Sequence, residues 1–353
     1  KTILFNRKNG LRAGNLGGLN LTLAAYKKFA DDPALTELGG DIGCYLDFVA
    51  ENLARLRELG GVQLLIQNIR NNFHGQYSDW NYGPVVNSLY GLSSGAWLNG
   101  DICMEERFGK LAVELIKEHG AEDKISEEIF QATRAIMDES DEYRKMLSKD
   151  GLAEQIVYTI KANPEDRGAL SLSCINLQML VGLVQSQTRL VPFDPEIQAA
   201  TTKAGAVEAA LGVVMERKEV HHKEHGGFNF GPVLDMVYDH EGSCFCALAG
   251  LAHNNAANQE AMLKAGLHTH IAKKIINANL LWRLSACETL QELATYTEPT
   301  YRAAIDEALP LCYGLRTFTL ALGSLQDFNL WLNKVWPRKY KLQLKLVEEV
   351  VFR

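Results

Sequence analysis

The sequence predicts an all-α protein built as a stack of helical repeats, and three observations lead to this prediction. Only nine prolines occur in 353 residues, so few positions interrupt a helix. No run of alternating apolar and polar residues is bounded by turn signals, so strands are not predicted. Several segments carry apolar residues at the i, i+3, i+4, i+7 spacing that lines one face of a helix, for example Val207, Ala210, Leu211 and Val214.

A glycine precedes each of the four clearest helical segments. These glycines are Gly60, Gly151, Gly205 and Gly266, and a glycine at such a place can end one helix and turn the chain into the next. The gaps between them are 91, 54 and 61 residues. The first gap corresponds to two units of ~45 residues, and the other two correspond to single units with insertions. A weaker unit is predicted 42 residues further on, with Ala308 in the place of Gly266.

The segment from Ala247 to Asn255, followed by Asn258 to Gly266, resembles an armadillo repeat. In that family an Ala- and Leu-rich helix ends at an Asn-containing turn, and a short segment then leads through Ala-Gly into a third helix. Residues 52–69, 143–160 and 198–215 resemble the later half of the same unit. The resemblance implies a right-handed armadillo-like α-α superhelix of about five to six repeats that share one continuous core.

This repeat array is predicted to span residues 41–320. Residues 1–40, rich in Gly and Asn, are predicted to be extended or irregular, and residues 321–353 a C-terminal capping helix or arm. Insertions are predicted near residues 71–84 and 218–242, where the sequence is too long for a turn between repeats. Such insertions emerge on one face of a solenoid and often carry function.

The composition limits the classes of partner and compartment. A net charge of −7 disfavours nucleic acid, which requires clustered Lys and Arg, and weakly fits a partner with basic segments. No stretch approaches the ~20 apolar residues of a membrane span. The seven cysteines lack dense spacing and predict buried or free thiols in a reducing compartment. A cytoplasmic location or a large intracellular assembly is predicted. Because the chain starts at Lys1 and not at Met, organellar import is left open.

Two groups of residues suggest chemistry. His221 and His225, with His222 between them and His240 further on, would share a helix face at a spacing that zinc accepts, but the adjacent glycines favour a polar loop. Cys244 and Cys246 flank Phe245 and are predicted to fill the core. No nucleophile elbow or phosphate-binding loop occurs. No catalytic residue, metal or cofactor is therefore predicted.

The resemblance places a concave binding groove along the third helices. The Trp–Asn ladder of nuclear import receptors is missing there, so binding of basic import signals is not predicted. The predicted partner-binding residues are, on the third helices, Gln63, Gln67, Asn68, Glu154, Tyr158, Glu208, His270 and Lys274; in the first insertion, Trp80 and Tyr82; and in the C-terminal segment, Trp336 and Arg338.

The sequence thus predicts a non-enzymatic scaffold or adaptor, a subunit of a cytoplasmic, ciliary or organellar assembly that binds one or more proteins. Its oligomeric state is not predicted. One alternative is an armadillo-type chaperone or co-chaperone for protein clients. The other is a metal-dependent enzyme that uses the histidine segment.

Overall fold

The structure is a computed structural model that describes residues 7–29, 50–71, 88–89, 92, 96–119, 124–182, 184–185, 190–215, 240–275 and 280–296, with isolated positions between 298 and 312. Its helices are α1 (Arg7–Asn15), α2 (Gly18–Lys28), α3 (Ala50–Glu58), α4 (Gly61–Asn71), α5 (Ala96–Glu105), α6 (Phe108–His119), α7 (Lys124–Glu139), α8 (Asp141–Lys149), α9 (Leu152–Ala162), α10 (Arg167–Val181), α11 (Pro195–Lys203), α12 (Ala206–Met215), α13 (His240–Ala252), α14 (Ala256–Lys264), α15 (Leu267–Lys274) and α16 (Leu280–Leu293). Two short strands, β1 (Val184–Gln185) and β2 (Leu190–Val191), lie between α10 and α11.

The predicted all-α class is confirmed by this series of helices. The strands form only a two-residue antiparallel ribbon, in which Val184 pairs with Val191. The ribbon lengthens its unit and accounts for part of the 54-residue spacing between Gly151 and Gly205. None of the described helices combines the length and the apolar character needed to cross a membrane.

One turn recurs six times in the described chain. Its central residue has a positive φ, its N–H donates to the carbonyl three residues earlier, and its carbonyl accepts the first bond of the next helix. Because a positive φ strains residues with a Cβ, five of the six positions are glycine. Arg107, with φ of 53°, occupies the sixth and divides the 91-residue gap into 47 and 44 residues. The six turn residues are Gly17, Gly60, Arg107, Gly151, Gly205 and Gly266.

The prediction of an extended N-terminal segment is wrong for residues 7–28, which form α1 and α2. Gly17 is the turn between them, 43 residues before Gly60. Leu19 and Leu23 of α2 lie four residues apart and bury against Leu56 of α3. This apolar stripe is short and lies among glycines and asparagines, so the local sequence favours a helix only weakly. The helix is stabilised when the next unit packs against the stripe.

Several helices start at a side-chain cap. The Oγ of Ser140 accepts a hydrogen bond from the N–H of Tyr143 at the start of α8. Asp166, Asp194 and Asn255 do the same for α10, α11 and α14. Each cap satisfies N–H groups that have no partner inside the helix, so the sequence fixes where these helices begin.

The helices form three rows. Pre-turn helices end just before one of the six turns, post-turn helices begin just after a turn, and each long helix follows a post-turn helix. The pre-turn helices are α1, α3, α5, α8, α11 and α14, the post-turn helices are α2, α4, α6, α9, α12 and α15, and the long helices are α7, α10, α13 and α16. Successive long helices pack most extensively, α10 against α13 and α13 against α16 above all. Gly250 permits this approach, because a Cβ there would lie 2.6 Å from the side chain of Val181. One apolar core runs through the stack from Val62 to Cys312.

Buried polar side chains join consecutive units. Arg144, Gln198 and Gln259 each stand seven residues before a turn glycine, and each donates to a backbone carbonyl near the C-terminus of a long helix. The distances are 2.9 Å to α10, 2.8 Å to the carbonyl that follows α13, and 3.0 Å to α16. Since the last carbonyls of a helix have no partner inside it, these side chains tie each pre-turn helix to the next long helix.

The prediction of free thiols is wrong for four cysteines. Cys174 of α10 is bonded to Cys244 of α13, and Cys287 of α16 is bonded to Cys312. The partners lie 70 and 25 residues apart in sequence. They meet because the segments that carry them are neighbours in the stack, so the local spacing of the cysteines does not predict these disulfides. Among the described cysteines, Cys103 and Cys246 take part in neither disulfide.

Candidate functional site

Five of the predicted partner-binding residues occupy equivalent positions on the post-turn helices. Gln63, Glu154 and Glu208 lie three residues after their turns, and Gln67 and Tyr158 lie seven residues after theirs. Gln63 is partly exposed and the other four are exposed, with Tyr158 at 51%. We call the surface formed by these third and seventh positions the post-turn face. Its other members include Lys110, Glu114, Thr269 and Lys273.

Three predicted residues do not lie on this face. Asn68 is only 4% exposed and donates a 2.9 Å hydrogen bond to the Oγ of Ser88, so its prediction as a partner-binding residue is wrong. His270 and Lys274 are partly buried, one position beyond the exposed stripe. One residue turns the side chain by about 100° around the helix, and the sequence alone did not fix this register.

The remaining predicted residues lie outside the described residues. These are Trp80, Tyr82, Trp336 and Arg338, together with His221, His222 and His225 of the proposed metal segment. Within the described ranges no group of three or more His, Cys, Asp or Glu side chains is placed to hold a metal ion.

An open cleft of about 650 Å³ lies where the end of α4 meets α6. Arg70 on its rim forms a 2.8 Å ion pair with Glu106. Lys110 lies 3.7 Å from Glu114, one helical turn away. Its lining residues are Arg70, Arg107, Lys110, Leu111, Glu114, Lys117 and Glu118. The lining has four cations and two carboxylates, and Glu106 pairs with one of the cations, so the cleft has a small excess of positive charge.

A second surface runs along the long helices. α10 and α13 are each flanked by long helices on both sides and backed by a post-turn helix, α9 behind α10 and α12 behind α13, so each leaves one narrow stripe open to solvent. We call the stripes of α7, α10, α13 and α16 together the long-helix face. Most of its side chains are partly shielded, in contrast to the exposed post-turn face; they include Gln131, Arg134, Asp138, Ile175, Gln178, Ser243, Cys246, His253, Glu288, Gln291 and Glu292.

The end of the long-helix face at α13 and α16 is acidic. Burial raises the pKa of the Glu288 carboxyl, and the charge of Glu292 raises it further, whereas a contact with the Cys246 thiol lowers it. The Sγ of Cys246 lies 3.7 Å from Glu288. No described Lys or Arg forms an ion pair with Glu288. Its side chain is nevertheless exposed, so the carboxyl has protein around it and access to solvent at the same time.

Beside this carboxyl, Glu292 pairs with His253. The Nδ1 of His253 lies 3.1 Å from the Glu292 carboxylate, and its Nε2 lies 3.0 Å from the side-chain nitrogen of Asn254. The ring also makes an edge contact with Phe193 at 4.8 Å between centroids. These contacts hold the imidazole in a fixed orientation at the rim of the long-helix face.

Sequence reasoning missed the residues of the long-helix face. It treated the Ala- and Leu-rich helices as core and looked for the groove on the post-turn helices. A signal was nonetheless present in α16, where Glu288, Gln291 and Glu292 form a polar stripe in an otherwise apolar helix. In α10 the stripe is reduced to Gly168, Ile175 and Gln178, and no pattern distinguishes it from the core.

Two crystal structures of engineered proteins from the Northeast Structural Genomics Consortium are similar to this fold. The first has a TM-score of 0.60 at 13% identity and covers 79% of this chain and 97% of its own. The second has a TM-score of 0.57 at 11% identity and covers 94% of this chain and 88% of its own. At such identities the likeness shows the fold alone. No protein-family model matches the chain, and no curated protein matches its sequence.

Proposed function

We propose that the units wind into an armadillo-like superhelix with the long helices on its inner side. Helices on the inside of a curved stack lie closer together than those on the outside. The extensive packing of α10 and α16 against α13, compared with the looser contacts of α9 and α15 with α12, supports this curvature. The half-shielded side chains of the long-helix face and the desolvated Glu288 support it independently.

On this basis the protein is a non-enzymatic scaffold or adaptor that holds a segment of a partner protein along the long-helix face. One observation carries the proposal, namely the half-shielded stripe across four long helices, which has at least one polar side chain on each of them. Such a surface offers hydrogen bonds to an extended or helical segment while its depth limits competition from water. The described residues that would contact the segment include Gln131, Gln178 and Gln291.

The acidic end of this face determines the chemistry of the partner. Glu288 and Glu292 lie one helical turn apart and repel each other, so a basic side chain placed between them would lower the pKa of Glu288 and gain a charge-assisted hydrogen bond. A partner segment with Lys or Arg at the α16 end is therefore favoured. A polyanion such as nucleic acid is repelled there.

Site-specific photo-crosslinking tests this assignment. A photoreactive residue is placed at Gln178 on the long-helix face or, as a matched control, at Tyr158 on the post-turn face, and the cross-linked partner is mapped by mass spectrometry. We expect one partner to cross-link in stoichiometric yield from position 178 and not from position 158. The reverse pattern would place the binding surface on the post-turn helices and refute the proposal.

A charge-reversal pair provides the second measurement. Glu288→Lys with Glu292→Lys is expected to abolish co-purification of the partner, whereas Glu154→Lys with Glu208→Lys, which changes the same charge on the other face, leaves it intact. Suppressed aggregation of many unrelated clients, without one stoichiometric partner, would instead indicate a chaperone. Stoichiometric metal in the purified protein would revive the enzymatic alternative.

A further inference from the structure

The basic cleft between α4 and α6 holds cations that the fold does not neutralise. Arg70 is occupied by Glu106, and Lys110 is one turn from Glu114. Arg107 and Lys117 have no ion-pair partner among the described residues; the charge of Arg107 reaches Asp150 and lowers the pKa of that carboxyl, but burial outweighs it. Each end of the cleft therefore has a cation outside the ion pairs, and at the Lys117 end Glu118 also lines the cleft.

Arg107 also stands where the other five turns have glycine. Its φ of 53° is a left-handed conformation that is strained for a residue with a Cβ and unstrained for glycine. Its side chain is exposed and lines the cleft. An arginine at this turn therefore places a guanidinium at the cleft where glycine would place none.

We propose that this cleft binds an acidic peptide segment of a partner protein. Arg107, in the turn that precedes α6, and Lys117, in the last turn of α6, are ten residues apart, which corresponds to about 15 Å along a helix axis. An extended chain covers about 15 Å in four to five residues. Two carboxylates separated by three residues therefore fit the two cations, and an apolar residue between them lies over Leu111, which forms the floor of the cleft and is 7% exposed. Glu114 disfavours a third carboxylate at the centre.

This site is independent of the long-helix face, because it lies on another row of helices and selects the opposite charge. The test uses the full chain and a fluorescein-labelled peptide containing Glu-Ala-Leu-Ala-Glu, measured by anisotropy at low and high salt. The same peptide with Gln in place of both Glu residues is the ligand control. The variants are Arg107→Gly and Lys117→Gln, and Lys203→Gln on α11, an exposed lysine outside the cleft, is the matched protein control.

We expect the Glu peptide to bind with an affinity that falls with salt, and the Gln peptide at least tenfold more weakly. Arg107→Gly and Lys117→Gln should each weaken binding about three- to tenfold, and Lys203→Gln should not. Arg107→Gly removes strain as well as charge, so its melting temperature should stay the same or rise, which separates lost binding from lost folding. Equal binding of both peptides, unchanged affinity in both cleft variants, or binding of an RNA oligomer in preference to the peptide would overturn the proposal.

Discussion

The side-chain amide of Gln198 donates a hydrogen bond of 2.8 Å to the carbonyl oxygen of His253, at the end of the next long helix. The same nitrogen also reaches the carbonyls of Gly250 and Leu251, at 2.9 and 3.0 Å. Gln259 repeats the arrangement 61 residues later against α16. One buried side chain thus satisfies helix-terminal carbonyls of its neighbour, and the units are linked by a specific polar contact as well as by apolar packing.

Removing this contact should destabilise the stack. Gln198→Leu keeps similar volume but removes the side-chain donor from the carbonyls of Gly250 and His253 in a buried place, while Leu251 still accepts from Asn258. We therefore expect a loss of about 1–3 kcal/mol in the free energy of unfolding. Gln67→Leu is the control, because Gln67 is exposed and bonds only to Asn71 on its own helix. Urea unfolding followed by circular dichroism measures both. A Gln198→Leu variant as stable as the parent would show that the contact does not contribute.

The recurrent turn makes a prediction of opposite sign at two equivalent positions. Gly151→Ala places a Cβ at φ of 95° and should lower the free energy of unfolding by about 1–2 kcal/mol, whereas Arg107→Gly relieves the same strain and should be neutral or stabilising. Thermal unfolding of the two variants beside the parent tests the pair. If Arg107→Gly is instead less stable than the parent, the arginine side chain itself stabilises the turn. Its presence at this position would then have a structural reason and would not require a role in peptide binding.

The predictions from the sequence agree with the structure for features that the local sequence determines. They differ for features that depend on which helices pack against each other. The glycine turns and the apolar helix faces could be predicted, because a glycine that permits a positive φ and the spacing of apolar residues are both visible in the local sequence. The turn at Arg107 could not, since arginine carries no signal for a left-handed conformation. The orientation of Asn68, turned into the core, and the pairing of Cys174 with Cys244 depend on which helices become neighbours, and no local pattern specifies that.

The cysteines give a prediction that counts thiols. In a Cys44→Ala variant, six cysteines remain. Burial raises the pKa of the Cys103 thiol to about 12, so it should not react with a maleimide in the folded protein, whereas the partly exposed Cys246 should. We expect one reactive thiol when native, two after denaturation, and six after denaturation with reduction.

Reduction should also destabilise the fold, because Cys174–Cys244 closes a long loop. For a separation of 70 residues, chain entropy gives about 4 kcal/mol. The effect is measured as the change in melting temperature when a reductant is added. Cys103→Ser, which removes a buried thiol that is in neither disulfide, is the control, and its melting temperature should respond to the reductant as that of the parent does. Six reactive thiols in the denatured protein before any reductant is added would rule out both disulfides and favour the reducing compartment that the sequence predicts.

Two histidines of α15 should make stability depend on pH. His268 is 8% exposed and lies 5.7 Å from the ring of Tyr301, and burial lowers its pKa. Burial and the charge of Lys274 lower the pKa of His270, although Glu241 acts in the opposite direction. Below the ordinary histidine value of about 6.5, the unfolded chain takes up protons that the folded chain does not. The contribution of these histidines is therefore full above about pH 6.5 and falls as the pH decreases through that value.

The measurement is the free energy of unfolding between pH 7.5 and 5.5 for the parent and for His268→Phe, which keeps the aromatic contact with Tyr301 but cannot titrate. Asp150 and Glu288 have raised pKa values and act with the opposite sign at lower pH, so the difference between the two proteins is the informative quantity. We expect the variant to lose a smaller fraction of its stability on acidification. If His268→Phe keeps the parental dependence of stability on pH, the buried imidazole is not the group that responds to pH.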